Sequence, residues 1–124
     1  MLSKYPVIPT LGVKDLKTAK EFYEKTLGFT ASSNDKWGAL YECGGGTSFL
    51  VYESRADVGG TTHAGFHVEN LDAEMTQLRA KGVKFEEYDF PGLKTENGVA
   101  TWDGTRSAWF KDPDGNIIAI DETK

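Results

Sequence analysis

Sulfur and imidazole are scarce in this sequence. Its one cysteine, Cys43, has no partner for an intrachain disulfide and too little company for a structural zinc site, which fits a reducing compartment. The two histidines, His63 and His67, are the only side chains whose ordinary pKa suits proton transfer near neutral pH. Basic residues are outnumbered, 14 Lys and Arg against 19 Asp and Glu, and the net charge of -5 disfavours a phosphate backbone, so nucleic acid is not the expected partner. No apolar run approaches a membrane span, and Met1-Leu2-Ser3-Lys4-Tyr5-Pro6 lacks the apolar core of a signal peptide. The expectation is a cytoplasmic protein with no membrane partner.

What is present is ordinary globular material. Hydrophobic residues at 39% and charged residues at 27% argue against disorder, and 124 residues suffice for one core but not two large ones. A single domain over residues 1–124 is expected, made of two units at about 5–55 and 61–122.

The pattern that organises the chain lies near its C-terminus. Asp112-Pro113-Asp114-Gly115 fits a type I turn, with Pro presetting φ at the second position and Gly accepting a positive φ after it. Aromatic and β-branched runs flank the turn, so a tight hairpin with a second strand at Ile117–Ile120 is predicted.

In chain order, Val7–Val13 reads as a strand, with the missing N–H of Pro9 at an edge or at a gap in the ladder. Asp15 caps a helix through Thr26, with Leu16, Ala19, Phe22, Tyr23 and Leu27 on one face and Gly28 just past its end. Strands follow at Phe29–Ser33, Trp37–Cys43 and Thr47–Tyr52. The intervening Gly44-Gly45-Gly46 is not followed by Gly-Lys-Ser/Thr and leads into a strand, so it is a hairpin turn and not a phosphate loop.

After the polar stretch Glu53–Thr62 the pattern restarts. His63–Val68 is a strand, Asn70 caps a helix carrying Leu71, Met75 and Leu78, and Gly82 ends it. A strand at Val83–Tyr88, a loop through Pro91-Gly92 and strands near Val99–Trp102 and Thr105–Phe110 complete the second unit. Leu11-Gly12-Val13-Lys14-Asp15-Leu16 lines up with Phe66-His67-Val68-Glu69-Asn70-Leu71, so strand, helix and three strands occur twice.

This doubled plan resembles the vicinal oxygen chelate superfamily, which groups glyoxalase, bleomycin-resistance proteins and extradiol dioxygenases. The likeness is carried by Asp15, Leu16, Ala19, Phe22, Tyr23, Leu27, Gly28 and Phe29, then by Phe110, Asp112, Pro113, Asp114, Gly115, Asn116 and Ile118. It implies an α+β fold of tandem βαβββ modules whose curved mixed sheets surround a concave cavity, and a homodimer. Alternation then sends Phe66, Val68, Ile118 and Ile120 towards the helices, and His63, Gly65, His67, Ile117 and Ala119 towards the cavity.

Metal-dependent members, by the same resemblance, take His and Glu ligands from the first and last strand of each unit. His63, seven residues before the capping Asn70, stands at one such place. The other three places fall on Ile8, Leu50 and Ala119, which have no lone pair to offer. No metal or other cofactor is therefore expected, a site improvised from His63, His67, Glu53 and Asp121 being the weaker alternative.

His63 is then the candidate general base, with His67 beside it, against the plainer reading of both as polar residues on a half-solvated sheet. Trp37, Tyr41, Tyr52, Phe90, Trp102 and Trp109 are candidate aromatic walls for a small-molecule ligand, with Ser107 on the same side as Trp109. Arg55 and Arg106 are candidates to pair with a ligand carboxylate or phosphate, against the favoured reading of both as partners of surface acids. Cys43 reads as an ordinary buried thiol. The leading expectation is a metal-free binder of the bleomycin-resistance kind that sequesters an aromatic or cationic compound. The alternative is an enzyme of the glyoxalase, lyase, isomerase or dioxygenase type acting on a vicinal-oxygen substrate.

Overall fold

The computed structural model describes residues 8–36, 38–54, 60–102 and 104–123. In the first half, β1 (Thr10–Val13) leads to α1 (Leu16–Glu21), and β2 (Ala31–Asn34), β3 (Gly38–Glu42) and β4 (Ser48–Glu53) follow. In the second half, β5 (Thr62–His67) leads to α2 (Leu71–Ala80). A short two-stranded arm, β6 (Asp89–Phe90) and β7 (Leu93–Lys94), precedes β8 (Ala100–Trp102), β9 (Thr105–Lys111) and β10 (Ile117–Thr123).

Each half builds a four-stranded mixed sheet, ordered β1-β4-β3-β2 and β5-β10-β9-β8. First and last strands run parallel, β1 on β4 and β5 on β10, and the remaining pairs are antiparallel. A parallel pair needs a crossover between its strands, and the helix of each unit provides it. This is the expected α+β architecture of two βαβββ units.

Local chemistry sets the helix starts. Asp15 accepts from the Lys17 amide at 3.2 Å and Asn70 accepts from the Ala73 amide at 3.0 Å, each satisfying an amide that the first turn leaves unpaired. The first helix reaches Thr26 as predicted, but its last stretch, Phe22–Thr26, widens into a π-helical turn, with Leu27 N–H donating to Phe22 O at 3.0 Å.

Gly44–Gly46 forms a single 3-10 turn within the β3–β4 hairpin, with Gly45 and Gly46 at φ 69° and 77°. The strand expected at Val83–Tyr88 is reduced to one bridge, Phe85 to Phe110. Glu86 N–H continues the pairing, donating to Trp109 O at 2.7 Å before the chain turns away into the β6–β7 arm.

One core runs through both halves. Leu11, Val13, Ala19, Tyr23, Tyr41 and Val51 from the first are fully buried with Leu71 and Ala108 from the second. Phe29 stacks on Phe66 across the halves, centroids 5.6 Å apart, and Phe49 meets Phe66 edge-on at 6.0 Å. Full burial of such a ring contributes about 1.5–3 kcal/mol. Phe49 is buried and Phe29 and Phe66 are half-buried, so the contacts join the units with part of that gain from each of the latter two.

Candidate functional site

The helices cover one face of each sheet, and strand alternation decides what the other face offers. In the second sheet Phe66, Val68, Ile118 and Ile120 belong to the core side, as the alternation predicts. The opposite, open face is organised in cross-strand rows. Ala119 lies between Trp109 and Gly65 in one row, and Asp121 lies between Ser107 and His67 in the next.

His67 Nδ1 is 2.7 Å from Asp121 Oδ1. A carboxylate accepts here, so Nδ1 carries a proton, and in the neutral ring Nε2 is then the acceptor. The pair is open to solvent, the side chains being 66% and 36% exposed. Ser107, in the same row, is buried, and Trp109 is half-buried.

His63 does not extend this order. The β5–β10 register slips between Ile117 and Ile118, whose partners are Thr62 and Ala64, and His63 falls at that bulge. It is half-buried, and its Nδ1 is buried with no hydrogen-bond partner among the described residues. The two histidines are therefore not equivalent members of one row.

Two sequence-predicted site residues sit on the helix side. Tyr41 is fully buried in the core, and its hydroxyl donates to Glu24 Oε2 at 3.0 Å. Burial, reinforced by Glu24, pushes its pKa up. Arg106 alternates with Ser107 and turns towards α2, where it forms a bidentate pair with Asp72 at 2.8 and 3.1 Å and approaches Glu122 at 3.6 Å. The Asp72 hydrogen bonds raise the guanidinium pKa, and this Arg is engaged within the fold. Trp37 and Arg55 lie outside the described residues, as does the side chain of Trp102.

In the first sheet the open face is a groove of about 460 Å³ lined by Ile8, Thr10, Leu40, Leu50 and Tyr52. Ile8 and Tyr52 are unusually exposed for large apolar side chains, at 44% and 38%. The parallel registers test whether a metal fits. Thr10 pairs with Leu50 in β1–β4 as Gly65 pairs with Ala119 in β5–β10, and the residues two before Thr10 and Gly65 are Ile8 and His63. The four equivalent places thus hold Ile8, Leu50, His63 and Ala119, one imidazole and three aliphatic groups. A divalent ion needs about three protein donors, so this set does not fit one. No group of three His, Cys, Asp or Glu side chains among the described residues is placed to hold a metal ion. Cys43 is half-buried, and burial pushes its thiol pKa up, away from the reactive thiolate.

Sequence reasoning places a loop here and names Phe90, but misses the two-stranded arm and Tyr88. Tyr88 meets Trp109 edge-on with centroids 5.6 Å apart, and Phe90 stacks on Tyr88 at 5.6 Å with an interplanar angle of 24°. Phe90 is 58% exposed. It sits next to Pro91-Gly92, a turn that presents its neighbours at a rim.

The family model described as Glyoxalase/Bleomycin resistance protein/Dioxygenase superfamily matches residues 7–120. No curated protein sequence matches the chain. Among solved structures, the antibiotic binding protein TnmS3 from Streptomyces sp. CB03234 is 21% identical, with 97% of this chain and 98% of that one covered and a TM-score of 0.72. Lactoylglutathione lyase from Agrobacterium tumefaciens is 22% identical, with coverage of 94% and 92% and a TM-score of 0.73. A superfamily member from Sphaerobacter thermophilus DSM 20745 is 24% identical, with coverage of 95% and 96% and a TM-score of 0.73.

Proposed function

From the premise that the chain belongs to the Glyoxalase/Bleomycin resistance protein/Dioxygenase superfamily, we propose that it binds a small molecule on the open faces of its sheets without a metal ion, as a sequestration protein. The observation that carries this reading is the replacement of three of the four register-equivalent donor places by Ile8, Leu50 and Ala119. Where a metal centre would need carboxylate and imidazole, the first sheet offers an apolar groove of about 460 Å³, of the size that suits a drug-sized molecule. The antibiotic-binding neighbour lends the same fold to this kind of role.

We read the active species as a cytoplasmic homodimer with neither nucleic acid nor membrane as partner. A two-fold dimer is the commonest closed assembly, and exposed Ile8 and Tyr52 are apolar surface that a second chain or a ligand would cover. Among the described residues no helix is long and apolar enough to cross a membrane.

The test is tryptophan fluorescence and thermal shift against a panel of aromatic and cationic compounds, with and without chelator. Saturable binding that is indifferent to chelator and mostly kept in His63→Ala supports the binder. Binding that needs an added divalent ion overturns it.

One observation favours a second reading, an enzyme without metal. A buried, unpaired His63 Nδ1 is a polar atom whose partner a bound substrate could supply, as a general base requires. The lyase neighbour keeps that reaction class in view. Turnover abolished by His63→Ala with the fold intact would establish it.

A further inference from the structure

Resting on the reading that a small molecule occupies the open face, we infer that the ligand is a planar fused-ring aromatic bearing a free hydroxyl. It lies over Gly65 and Ala119 beside Trp109, with its hydroxyl donating to His67 Nε2.

The space comes from a size contrast within one row. Trp109, the largest side chain, is in register with Ala119 and, across it, Gly65, two of the smallest. Among the described residues, a Cβ built on Gly65 would meet within 4 Å only Ala119, at 3.7 Å. The result is a trough with an aromatic wall at one side. Tyr88 and Phe90 extend that wall, Phe90 ending it with a ring that is 58% exposed. Stacking on such a wall selects a flat π-system.

The next row supplies the polar end. Asp121 holds His67 through Nδ1, which selects the tautomer of the neutral ring in which Nε2 is the acceptor. Its complement is a donor. Among the described residues beside the trough, Asp121 is already bonded to His67 and Glu86 pairs with Lys111 at 3.2 Å, so a cation would have to compete with partners in place. An anion would face this acidic chain and a lone pair. A neutral aromatic hydroxyl satisfies both the wall and the acceptor. With strands about 4.8 Å apart and a rise of about 3.4 Å per residue, Trp109 and His67 are separated by roughly 12 Å between Cα atoms, a span suited to fused rings and too long for a single one.

Calorimetric titration with 2-naphthol and 2-methoxynaphthalene, which share rings but not the donor, tests the inference. The expected result is about tenfold tighter binding of 2-naphthol, the yield of one hydrogen bond. That preference should vanish in Asp121→Asn and His67→Leu, and the His67 ring proton resonances of the unaltered protein should move on adding 2-naphthol. Both probes should be lost in Gly65→Leu and Ala119→Leu, two independent ways of filling the trough. Gly65 has no positive φ and so accepts a side chain.

Equal affinity for the two probes, still lost on filling the trough, overturns the hydroxyl inference and leaves the binder reading standing. Binding undiminished by either filled variant places the ligand elsewhere and overturns the trough. Failure of both probes to bind overturns the ligand class, while the wider compound panel decides the binder reading separately.

Discussion

The Tyr23 hydroxyl donates to Asp112 Oδ2 at 3.0 Å across 89 positions of sequence, joining the first helix to the turn before the last strand. Asp112 is buried and its other oxygen, Oδ1, accepts the Asp114 and Asn116 amides at 2.9 Å. The turn motif therefore does more than reverse the chain: its carboxylate bolts the second unit onto the first.

Tyr23→Phe keeps the ring and removes the bolt. A loss of about 1–3 kcal/mol in denaturant unfolding is expected, the range for leaving a buried polar partner short of one bond. Burial, then the Asp112 charge and hydrogen bond, raise the Tyr23 pKa above its ordinary 10.0. Only the unfolded chain then ionises readily, so the contribution is intact below about pH 10 and declines as pH rises further. The alkaline slope of stability against pH should be shallower in Tyr23→Phe than in the unaltered protein.

Asn116 completes the joint, its Nδ2 donating to Gly12 O and to Asp112 Oδ2, both at 2.8 Å. Asn116→Asp exchanges these donors for a second buried carboxylate beside Asp112. A destabilisation above about 3 kcal/mol is expected, from lost bonds and like-charge burial. Thermal melting at pH 7, with partial recovery at acid pH where the new carboxyl protonates, checks it.

Arg106→Ala should change stability little, by about 0.5–1 kcal/mol, because Asp72 is 71% exposed and its pair is screened by solvent. Ligand affinity should be unaffected, since the guanidinium faces α2. A large loss of affinity with normal melting would show Arg106 reaching the ligand.

Installing the missing donors is a constructive test of the register. The triple variant Ile8→His, Leu50→Glu, Ala119→Glu, with native His63, places two imidazoles and two carboxylates at the four equivalent positions. It should bind zinc stoichiometrically and melt at higher temperature when zinc is added.

Much of this fold was legible locally. Asp15 and Asn70 announced their helices because a cap is chemistry between near neighbours. Alternation placed Ile118 and Ile120 inward because a half-buried strand imposes period two. The same rule, carried two residues back from Ala108, puts Arg106 on the helix side, a signal that was present in the spacing. Tyr41 was harder, since period two in β3 separates Ala39 and Tyr41 from Leu40 without saying which set faces the helix. The bulge at His63, the arm of Tyr88 and Phe90, and the reach from Tyr23 to Asp112 depend on which distant segments meet, and no local pattern encodes that.

The most direct test of the metal-free reading is the metal content of the purified protein, followed after chelation by thermal-shift titration with zinc, nickel, iron(II) and manganese. The donor set of one imidazole and three aliphatic side chains predicts no stoichiometric metal and no shift for any of the four ions. Stoichiometric metal with a clear rise in melting temperature would contradict it and return the enzyme reading to first place, with His63 as the anchoring ligand.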